Sequence, residues 1–205
     1  MFNSQGGFKN FWYYNKWKIF SLIALVLFIA FAVSQCSYGT VTDFEVLHIS
    51  EVRDVSGDEF IERIKNDVEL VSEGEDPNVE FLHIFVPQDM RDIMETGALE
   101  QIQVELVGGS STLFILDKET IYSYKDNEFF YDLTQIADSY NVPEDKRYLG
   151  ANGEVCAISV DSNKYLQECN LQCDSLYIAV RNHSDKKSDE YINAFAVLNH
   201  ILLNN

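Results

Sequence analysis

Phe44-Glu45-Val46-Leu47-His48-Ile49 returns further along the chain as Val79-Glu80-Phe81-Leu82-His83-Ile84, and these two stretches decide the fold. Each is a short, largely apolar run interrupted by a histidine, which reads as a strand; the second continues to Val86. Between them Phe60, Ile61, Ile64, Val68 and Val71 recur at helical spacing, with Ser56 placed to cap and Asp58 and Glu59 placed in the first turn. Gly74 and Pro77 mark the turn that follows. Strand, amphipathic helix and strand make one βαβ unit, and such units imply right-handed crossovers.

Working outward toward the C-terminus, Met90, Ile93, Met94, Ala98, Leu99, Ile102 and Leu106 mark the buried face of a second helix. Gly97 is placed to kink it and Gly108-Gly109 to end it. Thr112 to Leu116 reads as a third strand, Asp117 to Asn127 as a short helix, and Asp138 to Asn152 as a polar surface loop. Val155 to Val160 and Leu176 to Val180 read as further strands, and Tyr191 to Leu203 as a closing helix. The expected fold class is α/β, a single three-layer domain over 43–205 with a mostly parallel sheet.

Working outward toward the N-terminus, Ile19 to Val33 is apolar except for Ser21. It follows Lys9, Lys16 and Lys18 and the aromatic block Phe11, Trp12, Tyr13, Tyr14 and Trp17. All 33 Asp and Glu lie from Asp43 onward, and the formal net charge is -18. Basic residues flanking a span stay in the cytoplasm, so the expected order is a basic, aromatic cytoplasmic segment at 1–18, a transmembrane helix at 19–36, a spacer at 37–42 and an acidic extracytoplasmic domain. The strict apolar run reaches about 23 Å of a hydrocarbon core near 30 Å at about 1.5 Å per residue. Snorkelling of Lys16 and Lys18, and Tyr14, Trp17 and Tyr38 at headgroup depth, extend it. Two other readings stay open. Ala32-Val33-Ser34 offers small residues suited to signal-peptide cleavage, and Val33-Ser34-Gln35-Cys36 resembles a lipobox with Cys36 lipidated, although Gln35 stands where a small residue is usual.

The acidity excludes a phosphate-backbone binder, because nucleic-acid association depends on Lys and Arg displacing counterions. Gly108-Gly109-Ser110-Ser111-Thr112 runs from a helix into a strand and lacks the Lys of a P-loop. No GxSxG or HExxH is present, so neither a cofactor nor an enzymatic activity is expected. Ligands of open α/β sheets gather at the carboxyl ends of the strands. Glu51 and Asp54 follow the first strand there, Asp89 the second, and Asp117 and Glu119 the third. Such a carboxylate edge suits a cation or a cationic or sugar-like ligand, against the ordinary alternative of solvated loop acids. His48 and His83 occupy equivalent places in two similar strands, so adjacent parallel pairing brings their rings together; without a third ligand, a structural role is the ordinary reading. Cys156, Cys169 and Cys173 lie in the exported part, where a disulfide among them is permitted.

Gly108 to Asp117, Tyr131-Asp132-Leu133-Thr134, and the later pair Val155 to Val160 and Leu176 to Arg181 with the final helix resemble, in order and texture, the first lobe of type 2 extracellular solute-binding proteins. The Phe11 to Lys18 block with its single span resembles small single-pass proteins of Gram-positive bacteria. The resemblance implies ligand binding, yet the exported part leaves room for one lobe where those receptors enclose ligand between two. The expected function is therefore a membrane-anchored extracytoplasmic binding or interaction module, accessory to a transporter or envelope complex and partnered by a membrane protein. The alternative is a cleaved or lipid-anchored solute-binding receptor.

Overall fold

The computed structural model describes residues 12–18, 20–28, 42–72, 76–87, 97–125, 128–171, 175–182 and 187–204. The chain divides into two units, Met1–Val41 and Thr42–Asn205.

In the first unit, 12–18 and 20–28 are helical. Phe20, Leu22, Ile23, Leu25, Val26, Leu27 and Phe28 are all exposed, and at about 100° per residue they point to every side of the helix. Among the described residues no helix is long and apolar enough to cross a membrane. Ile19 and 29–33 of the expected span, together with Cys36, lie outside the described residues.

The second unit is an α/β domain built on one six-stranded sheet. Its elements, in chain order, are β1 (Phe44–Ser50), α1 (Asp58–Asp67), β2 (Val79–Phe85), α2 (Ala98–Gly108), β3 (Leu113–Asp117), α3 (Lys118–Tyr124) and α4 (Thr134–Ser139). After a 3-10 turn (Glu144–Lys146) come β4 (Arg147–Leu149), β5 (Val155–Ser159), α5 (Lys164–Glu168), β6 (Leu176–Val180) and α6 (Asp189–Leu203). The strand order is β2-β1-β3-β6-β5-β4.

β1 pairs in parallel with both β2 and β3, as the βαβ reading requires. The other half of the sheet differs from expectation. β3 with β6, β6 with β5 and β5 with β4 are antiparallel, so the sheet is mixed and not mostly parallel. The physical reason lies in the connections. Leu149 and Val155 are joined by a short turn through Gly153, which takes a left-handed φ of 85°. So short a turn closes an antiparallel hairpin, whereas a parallel pair needs a crossover of a dozen residues or more. That hairpin puts β4 where a surface loop was expected.

Alternation along the strands sorts the core into two clusters, one on each face. Phe44, Val46, Leu113, Ile115 and Ile178 face α1, α4, α5 and α6, while Leu47, Ile49, Phe114, Leu116 and Ala179 face α2 and α3. β1 is buried along its whole length because it has a strand on each side and helices over both faces. The ends of the helices depart in detail from the sequence reading. The N-cap of α1 is Gly57, and Ser56 instead bonds Asp58 through its hydroxyl. Leu99 on α2, expected inside, is 52% exposed, because α2 starts at Ala98 and buries Ala98, Ile102 and Leu106.

Candidate functional site

The two histidines meet. The register of β1 with β2 sets His48 opposite His83, and their Nδ1 atoms are 3.0 Å apart. His83 Nε2 donates to the Val52 carbonyl at 2.8 Å, which fixes its proton there. His83 Nδ1 also lies 3.3 Å from the His48 carbonyl, so the contacts between the two rings run through their Nδ1 atoms and His48 Nε2 is left over. That atom is buried without a partner. Burial first, and the His83 ring second, pull His48 down to about 3, so it is neutral across the physiological range. Phe81 stacks on its other side at 5.6 Å. The pair ties the loop after β1 to β2.

Of the expected carboxylate edge, Glu51, Asp54, Asp117 and Glu119 lie within the described residues. β1 and β3 are adjacent and parallel, so Glu51, Asp54, Asp117 and Glu119 follow the same ends of neighbouring strands. Asp117 is committed to capping α3, accepting from the Thr120 amide at 2.8 Å and from its hydroxyl at 3.1 Å. Glu119 sits in the first turn of that helix, where the dipole favours a negative charge. Asp89 lies outside the described residues, and among those described no three His, Cys, Asp or Glu are placed to hold a metal ion. Cys156 and Cys169 are free buried thiols in opposite clusters of the core, so no bridge joins them; Cys173 is outside the described residues. Burial pushes both thiols up to about 11, which keeps them protonated and unreactive.

A different place gathers polar chemistry. α1, α5 and the end of α6 enclose a groove of about 590 Å³ lined by Arg63, Asp67, Lys164, Tyr165 and Glu168, with His200 and Asn204 at one end. Asn163 builds it. Its Oδ1 accepts from the Leu166 amide to cap α5, and its Nδ2 donates to the Ile201 carbonyl at 3.1 Å, pinning α5 to α6. Across the groove Arg63 Nη1 donates to Glu168 at 2.9 Å, and its guanidinium lies over the Tyr165 ring. His200 meets the same ring edge-on at 4.8 Å. Tyr165 is 4% exposed, and its hydroxyl has no hydrogen-bond partner. Burial first, then the neighbouring Cys169 and Asp67, push that phenol up, so it stays protonated beside the Asp67 carboxylate.

The groove was not legible in the sequence. Arg63 and Tyr165 are brought together by packing between distant helices, and a five-residue helix is too short to show periodicity. The one local signal was Asn163 at its start. Comparison with protein families, with curated proteins and with solved structures found no match to this chain.

Proposed function

We propose that this chain is a membrane-anchored binding and interaction module, with its basic N-terminus in the cytoplasm and its acidic α/β domain displayed outside, accessory to a transporter or envelope complex. The observation that carries this reading is the helix through 20–28, which presents large apolar side chains on every side. A helix apolar all round is stable in a protein core or in lipid, and water is the wrong solvent for it. The charge distribution supports the orientation, since three lysines precede the apolar run and every acid follows it.

The titrating groups favour binding over proton or group transfer. His48 is held neutral, both described thiols are held protonated and Tyr165 keeps its proton, so near neutral pH these groups present hydrogen bonds without an activated nucleophile or a poised base. Anchoring adds effective concentration next to a membrane partner without requiring a tight interface.

Protease added to intact cells tests the arrangement. The expected result is loss of the domain with a short N-terminal fragment left in the membrane fraction. Full protection of the domain in intact cells, with digestion only after lysis, would mean that it faces inward.

A further inference from the structure

We propose that the N-terminal unit binds an anionic phospholipid along one face, with the headgroup phosphate on Lys18 and an acyl chain over Leu22 and Leu25. This rests on the membrane-anchored reading and goes beyond it by naming the lipid class and its seat.

Trp17, Lys18, Ser21, Leu22 and Leu25 line an open groove of about 460 Å³. Positions 18, 21, 22 and 25 are the i, i+3, i+4 and i+7 places that share one side of a helix. The groove is cationic at its Lys18 end and apolar beyond it, over about 10 Å of helical rise. That order matches a headgroup followed by the start of a tail. Leu22 and Leu25 are exposed along it. Ser21 is the only polar residue between Ile19 and Val33, and it lies on this same face, one turn from Lys18. A hydroxyl at that depth is placed to donate to a glycerol ester carbonyl.

The neighbours decide the sign of the ligand. No Asp or Glu precedes Asp43, and among the described residues Lys18 has no ion-pair partner. Its complement is an anion. A zwitterionic lipid brings its own ammonium to the lysine, whereas a net anion does not, and an anionic leaflet attracts each lysine at its surface. A free phosphate would leave Leu22 and Leu25 uncovered. Lys16 is placed differently. It lies about 160° round the helix from Lys18, and its ammonium sits over the Tyr13 ring at 5.5 Å, so an aromatic face already holds it. Trp12 and Trp17 both meet Phe20 edge-on, at 6.1 and 6.5 Å, which sets the two indoles beside the start of the apolar run.

The test reconstitutes the full chain in vesicles of equimolar phosphatidylglycerol and phosphatidylcholine, with bromine on the acyl chains of one lipid or of the other. Bromine quenches indole emission on contact. Trp12 and Trp17 are the only tryptophans of the chain, so the signal reports this segment alone. The expected result is quenching by both lipids, with phosphatidylglycerol preferred about fivefold. Lys18→Gln should lower that preference to about twofold or less, and Lys16→Gln should keep most of it. Equal quenching by the two lipids in the wild type would overturn the proposal and leave the anchor standing. An undiminished preference in Lys18→Gln, or an equal fall in Lys16→Gln, would overturn it in favour of diffuse attraction. Quenching by neither lipid would put both indoles outside the bilayer and overturn the anchor together with the proposal.

Discussion

His48 occupies a core position in which an aliphatic side chain would leave no polar atom behind, and its Nε2 has no partner there. The cost appears as a pH dependence whose sign is fixed. The folded pKa is about 3 against an ordinary value of 6.5, so between those values the unfolded chain binds a proton that the folded chain refuses. Stability is therefore full above about pH 6.5 and falls as the pH drops toward 3, at up to about 1.4 kcal/mol per unit. Urea titrations of wild type and His48→Phe between pH 7 and 4 should diverge below 6.5, the variant losing less; parallel curves would remove His48 as the cause. Tyr165→Phe makes a second test at this scale. Because its hydroxyl is buried and unbonded, deleting it should leave the melting temperature unchanged or slightly higher, whereas loss of a satisfied buried hydroxyl costs about 1 kcal/mol. The meeting of His48 and His83 was legible from the repeated Leu-His-Ile, since similar strands joined by one helix pair in parallel and in register. The idle nitrogen was not, because it depends on what surrounds the ring.

The elements that were legible carry their own boundaries. β6 lies at Leu176–Val180, where its apolar run stands, and α6 reaches Leu203 after a Ser188 cap that accepts from the Tyr191 amide. The short ones, β4 and α5, have too few residues for a period to show. Gly57 ties α1 to the histidine pair, because a Cβ there would collide with the Phe81 ring that stacks on His48. Gly57→Ala should cost about 1–3 kcal/mol by overpacking, and Gly108→Ala, with open space around it, should be neutral or stabilising by up to about 1 kcal/mol. Thermal melts of the two variants side by side check this. On the opposite face Arg181 closes α2. It donates to the Glu105 and Leu106 carbonyls at 2.9 and 2.5 Å and to Ser111 at 2.7 Å, with its plane over Phe114 and Phe129. Burial lowers its pKa, yet carbonyls at a helix C-terminus are the partners a cation suits. Arg181→Ala should destabilise by roughly 2–4 kcal/mol and speed amide exchange at Gly109, whose N–H bonds the Glu105 carbonyl.

For the molecule as a whole, the α/β class followed from alternating strand and helix patterns, but the direction of the last strands did not. A parallel and an antiparallel neighbour have the same apolar run when both faces are covered, so only the short β4–β5 turn distinguishes them. Of the acids expected to line the strand ends, Asp117 caps a helix. The groove lined by Arg63 and Tyr165 came from packing among α1, α5 and α6. What joins these parts into one function is the proposed anchor, which turns a small acidic domain into a surface held near membrane partners. Intact mass spectrometry of the native protein, recovered from membranes washed with alkaline carbonate, tests this most directly. A species that still carries residues 19–33 and is retained by the washed membranes is expected; one beginning after Ser34 and released into the wash would contradict the anchor.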